Sequence, residues 1–393
     1  MGDHLCSQTL LQLATSSTSL AKIHEFEAQL SPVRGPSVKK IVFAGAGTAG
    51  HVEPALAVAR WFRENFPEVE MAFLGTAEGV ETRLVPEAGF SLHLISKSPF
   101  PRKLSVSAFN WPLRFRRTFR EVQELLTGVD LVIGFGGYVA APAYLGARRA
   151  GIPIIAHEAN AKMGLANKLA LRCNATMLYA FSGVKENRVG IPLRPAIVEL
   201  AKLSQDERLT AKKAALRGMS LDPLAPTILV FGGSLGSVKF NAAILKAQRD
   251  ISRLGIQIIH AVGEKNDLPI AQAGYFPVSY IKDMATAYTA SDLVIARSGA
   301  VTVAETGVLG IYTLYVPLPI GNGEQKENAM VVVEMGGGEV IDNAEFSAEW
   351  LVGNVGRMLT NAERYLSSRS RMDFPLDASA EIAKRALKVL ANE

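Results

Sequence analysis

The stretch Asp292–Asn328, DLVIARSGAVTVAETGVLGIYTLYVPLPIGNGEQKEN, decides how the chain is read. Its apolar residues Leu293–Ala296 predict a buried strand, and Arg297-Ser298-Gly299 a turn. A helix opens at Ala300, Val301 and Thr302, and a second strand follows at Thr313–Val316 before a polar loop bearing Gln325 and Asn328. A helix start carries unpaired N–H groups, and small residues around it let an anion approach. Glu305 lies about one and a half turns further on, placed to meet neutral hydroxyls of a ligand whose phosphate sits at the helix tip. Convergence of this kind at the carboxyl edge of a sheet suits a nucleotide sugar. An ordinary strand–helix–strand unit, with Ser298 as no more than a helix cap, accounts for the same letters.

Outward from this stretch, strand, turn and helix alternate in two runs. The first has strands at Ile41–Ala44, Val69–Leu74, Ser91–Ile95, Asp130–Ile133, Ile152–Ala156 and Ala175–Leu178. It stops at Gly190-Ile191-Pro192-Leu193-Arg194-Pro195, and a charged helical stretch, Ala201–Gly218, follows. The second run has strands at Ile228–Phe231, Ile256–His260, Val278–Tyr280, Leu293–Ala296, Thr313–Val316 and Glu339–Ile341. The openings IVFAGAGTAG and ILVFGGSLGS each run an apolar strand into a glycine turn. An α/β chain of two Rossmann-like halves with parallel sheets is expected. Residues 1–38 read as a poorly ordered extension, 39–195 as the first domain and 196–376 as the second. Residues 377–393 read as a C-terminal helix packing back on the first.

The 393 residues are enough for two cores, and 34 glycines with 7% aromatics fit an α/β enzyme. A net charge of +5 favours anionic partners without requiring nucleic acid. Cys6 and Cys173 have no metal-binding spacing, so a reducing cytoplasm is expected. Met1–Leu13 lacks the basic start and apolar core of a secretory signal. Leu131–Ala147 is uncharged, but its four glycines and Pro142 break it into strand, turn and helix rather than a membrane span.

Gly45-Ala46-Gly47-Thr48-Ala49-Gly50 satisfies the dinucleotide fingerprint, which taken alone suggests an oxidoreductase. The acid wanted at the end of the second strand is missing, because that strand ends Leu74-Gly75-Thr76 and the nearest acid is Glu78. His51 follows the last glycine, where a helix start disfavours imidazolium and keeps the ring able to accept a proton. Gly134-Phe135-Gly136-Gly137-Tyr138 and His157-Glu158-Ala159-Asn160 also follow strands of the first half. Asn160 can read a sugar hydroxyl, while His157 and Glu158 read as a satisfied structural pair. Gly232-Gly233-Ser234-Leu235-Gly236 lacks the ending of a P-loop, although Ser234 and nearby N–H groups suit a diphosphate. Seven basic residues and no acid lie between Lys97 and Arg120, interleaved with Phe100, Phe109, Trp111, Phe115 and Phe119. That mixture suits an anionic membrane surface; RNA, or a solvated helix with core aromatics, are the other readings. No Asp-x-Asp occurs, so no metal and no cofactor are expected.

GAGTAGHVEPALAVA, GFGGYVAAP, HEAN, GGSLGS and DMATAYTASDLVIARSGAVTVAE…GEQKENA together resemble the MurG family. These are the N-acetylglucosaminyltransferases that convert lipid I to lipid II in bacterial peptidoglycan synthesis. The resemblance runs from Lys40 to the C-terminus and implies a GT-B fold, two Rossmann-like domains facing across a cleft. The acceptor and membrane surface would belong to the first domain and UDP-GlcNAc mostly to the second. Carried over by motif, Thr48, Ala49 and Gly50 match the loop that closes over the donor, and Asn160, Arg194 and Ser234 match donor-site contacts. Ile281 matches the residue whose backbone reads uracil. Ala300, Val301, Thr302 and Glu305 match the donor segment, with Glu305 on the ribose. Gln325 matches the glutamine that reads the donor sugar, and His51 the proposed base. Ala49 departs from the usual glycine, and the second loop lacks the family arginine unless Lys239 serves. The implied location is the cytoplasmic face of the bacterial membrane, peripherally, with cell-wall and division proteins as possible partners. A UDP-GlcNAc 2-epimerase is the nearest enzyme alternative, and an NAD-dependent oxidoreductase and a non-catalytic scaffold are rivals of other classes.

Overall fold

Lys40–Gly45 is apolar after its first residue and forms β1, which is buried on both faces as a central parallel strand must be. The computed structural model describes residues 38–98, 111–181, 185–233, 236–319, 323–368 and 374–391. In the first half β2 (Glu70–Gly75), β3 (Ser91–Leu94), β4 (Leu131–Gly136), β5 (Ile154–Glu158) and β6 (Thr176–Tyr179) join β1 in the order β3-β2-β1-β4-β5-β6. All of its pairings are parallel. Its helices are α1 (Ala49–Asn65), α2 (Glu81–Glu87), α3 (Trp111–Leu125), α4 (Ala140–Ala150) and α5 (Leu165–Arg172). Phe43 of β1 stacks between Phe73 of β2 and Phe135 of β4, at 4.9 and 6.4 Å between centroids.

The connection carries α6 (Pro195–Lys202) and α7 (Gln205–Gly218). Two helices thus replace the single stretch expected over 201–218. The break is a capping box: Ser204 Oγ accepts from the Glu207 N–H at 3.3 Å, and Glu207 Oε2 accepts from the Ser204 N–H at 2.8 Å. The second sheet holds β7 (Thr227–Phe231), β8 (Gln257–Ala261), β9 (Tyr275–Val278), β10 (Leu293–Ala296), β11 (Thr313–Tyr315) and β12 (Gly338–Val340). Its order, β12-β11-β10-β7-β8-β9, repeats that of the first sheet, again parallel throughout. β9 starts three residues before the expected strand, drawn there by Tyr275, which is buried and bonded to His260.

Its helices are α8 (Val238–Arg253), α9 (Met284–Thr289), α10 (Ala300–Leu309), α11 (Glu324–Val333) and α12 (Ala348–Ser368). The last helix, α13 (Ala378–Leu390), packs on α1 and buries Ile382, Ala383 and Ala386 in the core of the first half. In each sheet the chain reverses its direction of growth between the first and fourth strands, β1/β4 and β7/β10. Ligands of doubly wound sheets bind at the carboxyl ends beside such a point. Among the described residues no helix is long and apolar enough to cross a membrane.

Candidate active site

The loop after β1 turns on Gly47, whose φ of +96° an L side chain rarely adopts. Thr48 is the N-cap of α1, yet its hydroxyl makes no cap bond and lies 3.2 Å from His51 Nδ1. The N–H groups of Ala49 and Gly50, in the first turn, therefore have no side-chain cap. From the other side of the switch point, Gly136 and Gly137 take φ of +88° and +76° and lay their backbone on the imidazole. A Cβ at Gly136 would stand 3.3 Å from His51 Nε2. Burial, more than the helix start, lowers the pKa of His51. The Glu158 carboxylate, the Ala46 backbone and the Glu81 carboxylate act in the opposite sense.

Glu81 is the acid that the sequence reading missed. It is wholly buried, and its carboxylate accepts from the Gly47 N–H and the Thr76 N–H, each at 2.9 Å. The first glycine loop thus already holds an anion, one supplied by the protein. An open dinucleotide cradle would leave that amide for the ligand.

Glu158 is buried and organises the loop after β5. It accepts from the N–H groups of Asn160 and Gly164 at 2.9 and 2.8 Å, and from the amide groups of Asn160 and Asn167. His157 does not pair with it; His157 Nε2 lies 2.7 Å from the Gly190 carbonyl, and burial lowers its pKa. Asn160 continues into the second half, because its Oδ1 accepts from Asn328 Nδ2 at 3.1 Å. Asn328 Oδ1 in turn accepts from the Ala161 N–H at 2.8 Å.

Gln325 and Asn328 were expected in a loop and belong instead to α11. Gly323, in the left-handed region, caps that helix, and Glu324 and Glu327 fill its first turn, where acids are favoured. Three residues apart, Gln325 and Asn328 share one face. Asn328 is fully buried and reads protein groups, including the Ser298 carbonyl at 3.3 Å. Gln325 Oε1 accepts from the Leu318 N–H at 2.9 Å.

Ala300 opens α10 as the sequence requires, but Gly299, not Ser298, is the N-cap and makes no side-chain cap bond. Ser298 Oγ is buried and makes no hydrogen bond among the described residues. Val301 and Thr302 are half-buried in the first turn. Glu305 is only 2% exposed and engaged at both oxygens. Oε1 accepts from Arg194 Nη2 and Nε at 2.6 and 3.2 Å, and Oε2 from the Tyr288 hydroxyl at 2.9 Å. Glu305 raises the pKa of Arg194 against the opposing effect of burial. Ile281 is half-buried after β9, beside Tyr280, whose ring lies 4.8 Å from the Arg83 guanidinium of the first half.

Ser234 lies outside the described residues. Lys239 Nζ bonds the carbonyls of Asn343 and Ala344. A second missed residue is Arg297. It is buried, donates to the Val316 carbonyl at 2.9 Å and to Ser237 Oγ at 3.0 Å, and burial lowers its pKa. It thereby joins the ends of β10, β11 and the second glycine loop.

Two facing switch points, glycine loops without phosphate-binding lysines and a buried acid behind a bare helix start define a two-domain sugar-nucleotide transferase. Residues 41–178 match the glycosyltransferase family 28 N-terminal domain and residues 227–386 its C-terminal domain. A Streptomyces coelicolor UDP-N-acetylglucosamine--N-acetylmuramyl-(pentapeptide) pyrophosphoryl-undecaprenol N-acetylglucosamine transferase is 46% identical over 85% of this chain and 93% of its own length. A namesake from Mycobacterium sp. is 45% identical over 89% of this chain and 95% of its own. The chain belongs to this transferase family. The solved structure of Acinetobacter baumannii MurG, 26% identical, superposes with a TM-score of 0.63 over 88% of this chain and 99% of that one. CalG4, the calicheamicin glycosyltransferase, at 17% identity and a TM-score of 0.61 over 91% and 99%, shares the GT-B fold.

Proposed function

We propose that the protein transfers GlcNAc from UDP-GlcNAc to the muramoyl 4-hydroxyl of undecaprenyl-diphospho-MurNAc-pentapeptide, lipid I, giving the β-1,4-linked lipid II. The observation that carries this, beside family membership, is the bonding of Asn328 to both Asn160 and Ala161. These bonds tie α11 of the second half to the loop after β5 of the first. The hydroxyl attacks the anomeric carbon from the face opposite UDP, through a transition state with oxocarbenium character. UDP leaves as its diphosphate is stabilised by the α10 N–H groups at Ala300, Val301 and Thr302 and by the loop of Ser234.

His51 takes the proton. In the tautomer whose Nδ1–H is directed to Thr48 Oγ1, the Nε2 lone pair is the free base. Its lowered pKa keeps it unprotonated at neutral pH, and the Glu158 and Glu81 carboxylates favour the imidazolium as it forms. Glu305, held by Arg194 and Tyr288, has lone pairs left for the ribose hydroxyls. Ile281 reads uracil through its backbone. Gln325, its oxygen engaged, offers its amide N–H groups to the sugar, and Thr48, Ala49, Gly50 and Asn160 close over the donor.

Residues 39–195 serve acceptor and membrane, 196–376 the donor, and 377–393 completes the first domain. Arg114, Arg116, Arg117 and Arg120 are exposed on α3, and so is Leu113. Trp111, Phe115 and Phe119, half-buried on the same helix, stack on one another at 5.0 and 6.2 Å between centroids. Phe100, Arg102, Lys103 and Phe109 lie outside the described residues. This face holds the enzyme peripherally at the cytoplasmic leaflet, where the polyprenyl acceptor is embedded. The test is transfer of labelled GlcNAc to a short-chain lipid I analogue by wild type and His51→Ala. His51→Ala should bind UDP normally and lose about 100-fold or more in turnover; near-normal turnover would remove His51 as the base.

A further inference from the structure

Among the described residues the buried carboxylates of the first half are Glu81 and Glu158, and Glu81 is the one that reaches the first glycine loop. The protein is built around it. A Cβ at Gly75 would lie 2.5 Å from Glu81 Cγ, and one at Gly79 would collide with its carboxylate oxygens, so both glycines are cut to its shape. The side chain starts α2 and reaches back to the loop between β1 and α1, 34 positions earlier in sequence. There it accepts from the Gly47 N–H at 2.9 Å, while the Thr76 N–H and hydroxyl hold it from behind at 2.9 and 3.2 Å.

We propose that Glu81 is a positioning residue for the transfer reaction, which pins Gly47 so that Thr48 and the imidazole of His51 are set for proton acceptance. The inference rests on His51 being the base. Contacts run without a gap from Glu81 to Gly47, through the peptide to Thr48, and from Thr48 Oγ1 to His51 Nδ1. The same carboxylate supplies a negative charge that favours the imidazolium once the proton has moved. A phosphate stands in this place in dinucleotide-binding loops; here a fixed internal anion does its structural work, and the loop is formed before any substrate arrives.

The test is a double-mutant cycle of Glu81→Gln and His51→Ala, read as kcat, KM for a lipid I analogue, UDP affinity and the pH profile of kcat/KM. Glu81→Gln should bind UDP within about twofold of wild type, since the residues assigned to uracil and ribose, Ile281 and Glu305, lie in the other half, and lose about 10- to 100-fold in kcat. Its acid limb should move to lower pH, because removing a nearby negative charge disfavours imidazolium. In the His51→Ala background the same substitution should change kcat little. If His51→Ala itself keeps near-normal turnover, the base assignment fails. If His51→Ala is impaired and Glu81→Gln adds its full effect on top, the base stands and this proposal is overturned. An unmoved acid limb with normal kcat overturns it as well. Should Glu81→Gln fail to bind UDP, Thr76→Val keeps the charge and loosens its support. It should lower kcat only where His51 is present, and an equal effect in both backgrounds contradicts the proposal.

Discussion

Replacing Glu305 by alanine removes the acceptor of two donors at once, the buried Tyr288 and the half-buried Arg194. The Tyr288 hydroxyl, in a side chain 1% exposed, is left unpaired at a cost of about 1–3 kcal/mol. Breaking a fully buried ion pair costs about 3–5 kcal/mol. The Arg194 side chain is 24% exposed and keeps part of its hydration, so its share is nearer ~1–2 kcal/mol. Together the loss comes to about 3 kcal/mol, a large part of the ~5–15 kcal/mol that holds most domains folded. Glu305→Gln keeps a neutral acceptor and should lose only about 1–2 kcal/mol. Urea unfolding followed by tryptophan fluorescence reads the order wild type, Gln, Ala. UDP binding by calorimetry should rank the variants differently. A carboxylate hydrogen bond to ribose is worth about 1.5–3 kcal/mol, so both variants should bind UDP roughly 10- to 100-fold more weakly. Unchanged stability in both would mean that the Arg194–Glu305–Tyr288 cluster does not exist in solution. Weakened folding with unchanged UDP affinity would remove Glu305 from the ribose.

Three further outcomes follow from other residues. His260 is wholly buried between the Tyr275 hydroxyl and Asn241 Oδ1, and burial lowers its pKa from 6.5 to about 4. Its contribution is therefore complete above the unfolded value and lost as pH falls through 6.5 towards 4. Between pH 7 and pH 5 wild type should lose about 2 kcal/mol more than His260→Gln, and parallel unfolding curves would contradict this. Asn328→Ala strands the Ala161 N–H and should cost about 1–3 kcal/mol in unfolding, with kcat falling more than UDP affinity; unchanged kcat would show that the cross-cleft bonds are dispensable. Changing Arg114, Arg116, Arg117 and Arg120 to glutamine should weaken binding to anionic vesicles by about 3–4 kcal/mol in co-sedimentation, and undiminished binding would move the membrane contact elsewhere.

Local signals were legible in the sequence. A strand running into glycines and then a helix shows itself in ten letters, so the first glycine loop and the start of α10 fall where expected. Ser204 and Glu207 were equally local, three residues apart, and their capping box was passed over within a longer charged stretch. Tertiary relations were not legible. Nothing near Glu81 announces that its carboxylate turns inward to Gly47, because the space that admits it is made by Gly75 and Gly79. Arg297 looks like a turn residue until the ends of β11 and α8 close around it. Asn328 sits among polar letters that suit a loop, and only its fit between Asn160, Ala161 and Ser298 shows it buried in a helix. His51 was expected to stay neutral because of the helix start, and burial is instead the main cause that lowers its pKa.

The most direct measurement is UDP release from UDP-GlcNAc by the full-length chain in EDTA, with and without a short-chain lipid I analogue. Release that depends on the acceptor and persists in EDTA is the result expected of a transferase working through helix N-termini and His51. Tight UDP binding with no acceptor-dependent release would contradict the proposed reaction.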